Sequence, residues 1–122
     1  MIYGIGIDIT EIERIEKALK TERFLERVFS EEEIKYFKSK KHMAQSVAAN
    51  FAAKEAFSKA IGTGIRGFSL VEVEILRDDL GKPHISLSGD AKRITDELGI
   101  SGLFVSISHS EKYAVAQVLA EK

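Results

Sequence analysis

Two carboxylates in this chain stand where ordinary surface chemistry does not readily account for them. Asp8 closes a short alternating run, on the side it shares with Gly4 and Gly6. Glycines at alternate strand positions let another backbone or a ligand approach closely, and a carboxylate beside such a gap could hold a cation. It could equally be a strand-end residue that helps to cap the next helix. Glu55 falls in a helical run that is apolar almost all the way round. At 100° per residue Phe51, Glu55, Ser58 and Gly62 share one face with Lys59 at its margin, and Ala49, Ala53, Phe57 and Ala60 form the opposite, core-facing side. Leaving a carboxylate unpaired in such surroundings is costly. A metal would compensate Glu55, and so would Lys59, one turn further on. Two carboxylates without a matching histidine pair suit a hard cation. Magnesium commonly takes one or two protein carboxylates, keeps waters and completes its shell with substrate phosphates.

Other segments carry weaker chemistry. GTGIRG (62–67) matches a dinucleotide fingerprint letter for letter, but a helix precedes it and a strand follows, the reverse of what that fingerprint requires. Its glycines read as a helix stop and a shaped loop, which can still offer backbone amides to a phosphate. Near the end, Phe104, Ser106 and Ser108 alternate with Val105, Ile107 and His109. Two hydroxyls and a turn histidine could bind phosphate, or be plain hairpin residues. His42 and His84 follow no pattern and read as solvated. Arg14, Lys17, Lys20, Arg23 and Arg27 are interleaved with Glu13, Glu16, Glu22 and Glu26, which is either a solvated face or a docking surface.

The elements that must position these residues follow from periodicity. Residues 2–9 alternate as a strand, with Tyr3, Ile5, Ile7 and Ile9 on one side. Thr10 with Glu13 predicts a capping box opening a short helix, and Ser30 with Glu33 predicts another. The longest helix runs from about 42 to 61 and is closed by Gly62. Val71, Val73 and Ile75 predict a half-exposed strand, and DDLGKP (78–83) a turn into a strand at 84–88. A helix follows at 90–98, and strands at 104–110 and 113–121 form a closing hairpin. Short connections between several strands favour α+β: a single domain spanning 1–122, its mostly antiparallel sheet packed against one long and several short helices.

Composition narrows the function. The 122 residues contain no cysteine, so a disulfide framework, a thiolate nucleophile and a cysteine metal site are all excluded. A net charge of −1 gives no general attraction to nucleic acid or to a membrane surface. The amino-terminal residues lack the basic and apolar regions of a signal peptide, so a cytoplasmic location is expected.

GIGIDITEIERI (4–15), FAAKEAFSKAIGTGI (51–65), LGKP (80–83) and VSISHSEKYA (105–114) together resemble the holo-[acyl-carrier-protein] synthases, the short members of the 4′-phosphopantetheinyl transferases. The likeness covers nearly the whole chain and is densest at 4–15 and 51–65. It implies transfer of the 4′-phosphopantetheine group from coenzyme A to a serine of an apo acyl carrier protein, with release of 3′,5′-ADP, in support of fatty acid biosynthesis. It implies that Asp8 and Glu55 coordinate magnesium with the coenzyme A diphosphate, and that Lys59, with Ser58 and Gly62, contacts those phosphates. Asp8, Glu55 and Lys59 would then form the catalytic group. Pro83 would border the adenine, Ser108 and His109 would lie near the nucleotide phosphates, and Arg14 would lead a docking surface for the carrier. A homotrimer with sites between subunits is implied as well.

Two positions depart from the resemblance: Asn50 stands where many members carry a basic residue, and Phe104 where many carry histidine. The serine's proton would go to Glu55 or to a water on the cation. Two other readings use the same residues. A non-catalytic nucleotide-binding or oligomerisation module would do no chemistry, and a metal-dependent hydrolase would send the phosphopantetheine to water.

Overall fold

Alternating glycine and isoleucine give the first strand two unlike faces. In the computed structural model, which describes all 122 residues, β1 (Ile2–Glu11) and β4 (Gly102–His109) flank β5 (Tyr113–Glu121) in an antiparallel sheet of order β1–β5–β4. On its inner face Gly4, Gly6, Asp8 and Thr10 lie opposite Ala120, Val118, Ala116 and Ala114. The long helix α4 (Met43–Ile61) packs on that face, chiefly over β1 and β5. The glycines make this possible. A Cβ on Gly4 would collide with the carbonyl oxygen of Ala60, and one on Gly6 with that of Ala56. The backbone they admit is that of α4. Ala52, Ala53, Ala56, Phe57 and Ala60 of the helix then form one core with Ala116, Val118 and Ala120.

A second antiparallel pair, β2 (Val73–Arg77) and β3 (Pro83–Leu87), precedes α5 (Gly89–Glu97), which adds Ala91 to the same core. Three short helices, α1 (Ile12–Ala18), α2 (Phe24–Val28) and α3 (Glu31–Lys38), cover the first half of α4. They close a second cluster around Ile12, Ile15, Phe29, Phe37 and Val47, in which Phe29 and Phe37 meet edge to face at 4.9 Å. The architecture is α+β, as the sequence predicts. No helix is long and apolar enough to cross a membrane.

Two boundaries differ from expectation. Thr10 does not cap a helix: β1 continues through it, it is buried opposite Ala114, and its hydroxyl donates to Asp8 Oδ2 at 3.1 Å. Glu11 is the residue before α1 and makes no capping bond. Sheet pairing with β5 has outcompeted the local signal. The strand expected from Val71 begins at Val73, because Leu70–Glu72 forms a 3₁₀ turn. The capping box of Ser30 and Glu33 forms as expected, Glu33 N donating to Ser30 Oγ and Ser30 N to Glu33 Oε1.

Glu33 has a second task. Fully buried, it accepts from the equally buried Lys54 Nζ at 2.7 Å, from Asn50 Nδ2 at 3.0 Å and from Ile75 N at 3.3 Å. Lys54 also donates to the carbonyls of Leu70 and Val73. Burial pushes the Lys54 ammonium below its ordinary value, and Glu33 beside it pulls in the opposite direction. The network ties α3, α4 and β2 together with every donor of the ammonium used.

The outer face of the three-stranded sheet has no cover in the single chain. Ile5, Ile7, Ile9 and Phe104 are each more than half exposed there, in rows that continue through Leu119 and Val115 of β5.

Candidate active site

Asp8 sits on the inner face of β1 where α4 crosses the strand edge. Lys59 Nζ donates to Asp8 Oδ1 at 3.1 Å and to the carbonyl of Ile7 at 3.0 Å. Lys59 therefore pairs with the strand and forms no ion pair with Glu55, although the helical spacing allows one. Asp8 does not cap α1 either; its partners are Thr10 and Lys59. Both simpler roles open to these acids from sequence are set aside by the contacts.

Glu55, one turn before Lys59, is half-buried at the same edge. Burial pushes its carboxyl above the usual range and the charge of Asp8 pushes it further, with Lys59 and then Arg14 acting in the opposite direction. So four charges converge here: two carboxylates that repel, and two cations, from α4 and α1, that act against that repulsion. No third carboxylate or histidine joins the group. Such a donor set fits a hard divalent cation that completes its shell with waters and substrate phosphate, as magnesium does.

The loop after α4 lies beside this edge. Gly62 ends the helix in the left-handed region at φ 82°, and Gly64 follows at φ 63°, conformations that favour glycine. A helix before and a 3₁₀ turn with a strand after confirm that GTGIRG is no dinucleotide turn. Ser58 is buried, and its hydroxyl donates to the carbonyl of Glu55 at 2.6 Å, which braces the helix beside the loop.

The remaining assigned residues gather at the other edge of the sheet. Pro83 and His109 line a cavity of about 240 Å³ together with Gln45 and Arg77. Gln45 Nε2 lies 3.0 Å from His109 Nδ1. In that pairing the amide donates and the imidazole carries its proton on Nε2. Ser108 is not in this cavity. Strand alternation puts it on the outer face, in the row of Ile9 and Val115. The carboxylate pair and the cavity thus occupy opposite edges, β1 and β4, with β5 and α4 between them.

Sequence reasoning passed over Gln45 and Arg77. Arg77 had a usable signal, since it follows Val73 and Ile75 at strand spacing and so falls on their buried face. A cation on that face calls for an explanation. Gln45 had none, as its partner is 64 residues away.

Residues 4–118 match the 4′-phosphopantetheinyl transferase superfamily. A holo-[acyl-carrier-protein] synthase of Clostridium botulinum is 50% identical over 122 residues, covering 99% of this chain and 98% of that one. The holo-[acyl-carrier-protein] synthase of Neisseria meningitidis superposes with a TM-score of 0.94 at 41% identity, covering 100% of both chains. That of Bacillus anthracis, solved in complex with CoA (3′,5′-ADP), superposes with a TM-score of 0.83 at 44% identity, covering 98% of this chain and 96% of that one.

Proposed function

Since the chain belongs to the 4′-phosphopantetheinyl transferase superfamily, we propose that the Asp8–Glu55–Lys59 edge is where it transfers 4′-phosphopantetheine from coenzyme A to a serine of an apo acyl carrier protein. The observation that carries this is the pair of carboxylates brought together on β1 and α4, with Glu55 held above its usual range by burial and by the charge of Asp8. The bond from the serine oxygen to the pantetheine phosphorus forms, the bond from that phosphorus to the leaving 3′,5′-ADP breaks, and the serine proton is released. Asp8 and Glu55 are the residues that would hold magnesium, which when bound neutralises charge gathering on the diphosphate oxygens. Lys59 is half-exposed on a flexible stem, so its ammonium can leave Asp8 for a phosphate oxygen. Glu55 is the side chain of this site that would take the serine proton. Arg14, exposed on α1 and close enough to act on Glu55, marks the side from which an acidic carrier would arrive.

The site is completed by a neighbouring subunit in this reading. Two features support it. Pro83 and His109 lie at the sheet edge away from Asp8, in a cavity smaller than the roughly 300–1,000 Å³ common for small-molecule sites. The uncovered outer face, with Ile5, Ile7, Ile9 and Phe104, is an apolar patch of the kind that subunit contacts bury. A homotrimer would bring the β1 edge of one copy to the β4 edge of the next. Ser108, on that outer face, then belongs to the subunit contact.

The test is incubation with coenzyme A, magnesium and an apo carrier. The carrier should gain the mass of one phosphopantetheine and release 3′,5′-ADP. Turnover of coenzyme A without the carrier would make the protein a hydrolase, and no turnover would make it a binding module.

A further inference from the structure

The cavity at the β4 edge contains a cation whose bonding is incomplete. Arg77 Nη2 donates to Asn50 Oδ1 at 2.9 Å, and its guanidinium carbon lies 5.0 Å from the centre of the Tyr36 ring. Its other terminal nitrogen, Nη1, is screened from solvent and has no acceptor within hydrogen-bond distance, although the Tyr36 side chain of the same cavity also acts on the guanidinium. It is the one buried side-chain polar atom of the chain in that state. A buried donor without a partner is costly, more so when it carries charge.

The surroundings hold Arg77 in this condition. Asn50 cannot turn to serve it further, because its amide nitrogen is committed to Glu33 Oε2 and to the Ile75 carbonyl. Glu33, the buried carboxylate of the same network, is taken up by Lys54, Asn50 and the Ile75 amide. No carboxylate lines the cavity, whose polar wall includes Arg77, His109, Gln45 and Tyr36. A guanidinium on a wall that no carboxylate lines favours an anion in that space, and a planar guanidinium is well matched to phosphate oxygens.

We propose that Arg77 binds a phosphate of the nucleotide substrate in the cavity it shares with Pro83 and His109. This rests on the reading of the chain as a coenzyme A-dependent transferase. It also explains the departure at Asn50. The neutral amide takes one end of the Arg77 fork and leaves the other for the ligand, so strand β2 supplies the cation that helix α4 lacks at that position. Coenzyme A offers two phosphate sources, the 3′ monoester and the diphosphate.

The experiment compares wild type with Arg77→Gln. Calorimetry should show the Kd of 3′,5′-ADP raised about 10–100-fold, the scale of one lost charge-assisted hydrogen bond or two. The KM for coenzyme A should rise in step while kcat with saturating substrates stays within a few-fold. With dephospho-coenzyme A, which lacks the 3′ monoester, an abolished difference between the two proteins assigns Arg77 to that group. A preserved difference assigns it to the diphosphate. Unchanged Kd and KM in a folded Arg77→Gln protein overturn the proposal. Should that variant not fold, the guanidinium proton resonances of Arg77 in wild type should shift on titration with 3′,5′-ADP, and resonances that stay in place overturn the proposal likewise. Failure of wild type to modify a carrier would count against the transferase reading alone, because the 3′,5′-ADP titration still reports on Arg77.

Discussion

Lys54 and Glu55 are neighbours in the chain and opposites in the structure. Lys54 points inward, fully buried, and every proton of its ammonium meets an acceptor: Glu33, the Leu70 carbonyl and the Val73 carbonyl. Glu55 lies at the β1 edge, half-buried, with Asp8 as the charge that repels it and Lys59 and Arg14 acting in the opposite direction. One helix therefore carries a closed electrostatic network and an open one, a single residue apart. In the closed network the charges satisfy one another and hold α3, α4 and β2 in place. In the open one a half-buried carboxylate has no hydrogen-bonded or ion-paired partner in the chain, so a cation can still be bound there. The difference separates a charge satisfied within the chain from one left open to a ligand.

Substitution tests that contrast most directly. Asp8→Asn and Glu55→Gln should each lower transfer thousands-fold by order of magnitude, since several kcal/mol of transition-state stabilisation go with the lost carboxylate. Neither should lower the melting temperature, as no buried network is opened. Lys54→Met should do the reverse, lowering stability by about 3–5 kcal/mol through the buried Glu33 it leaves unpaired. Denaturation curves and initial rates on the three proteins decide the matter. A Glu55→Gln protein that transfers normally at saturating magnesium, or a Lys54→Met protein as stable as wild type, would dissolve the distinction.

Much of the open network was legible in the sequence. Asp8 and Glu55 stand in motifs whose order and spacing identify the family, and the apolar surroundings of Glu55 already make its charge conspicuous. The closed network was not legible. Glu33 reads as half of a capping box, which it is, and nothing in its local pattern says that it also meets a lysine 21 residues on. Lys54 lies in an alanine-rich stretch where a lysine reads as solvated. The partner of the Gly4 and Gly6 gap also came only from structure, since a close approach by helix or by ligand calls for the same glycines. Long-range pairing decides such cases, and periodicity does not report it. Thr10 shows the converse, a clear local capping signal overruled by pairing with β5.

A weaker effect is expected where the open network meets solvent. Arg14→Glu places a negative charge on α1 at the proposed docking side. The KM for the carrier should rise about tenfold or more and that for coenzyme A much less, and added salt should weaken wild type in the same direction. Steady-state kinetics with each substrate varied in turn makes the comparison. Equal effects on both substrates would move Arg14 from the docking surface into the pocket.

The smallest effect is the most specific to the open network. Burial and Asp8 raise the Glu55 carboxyl above its ordinary value of 4.5. A raised folded-state value means that the folded protein holds this proton more tightly than the unfolded chain does. The associated stability is fully present below that ordinary value and is lost as pH rises through the raised one. Above it, ionised Glu55 beside Asp8 is a standing cost to the protein without metal. Glu55→Gln removes that cost. The two proteins should therefore melt together at about pH 4, where Glu55 is mostly protonated. Toward neutral pH the variant should come to melt higher, by a few degrees at most because water screens a half-buried pair. Other titrating groups cancel in the difference. Magnesium at neutral pH should then raise the melting temperature of wild type more than that of Glu55→Gln, reversing the sign. Differential scanning calorimetry across that range, with and without magnesium, reads both halves. A difference that stays flat with pH would mean that Glu55 is already compensated within the chain, as Lys54 is.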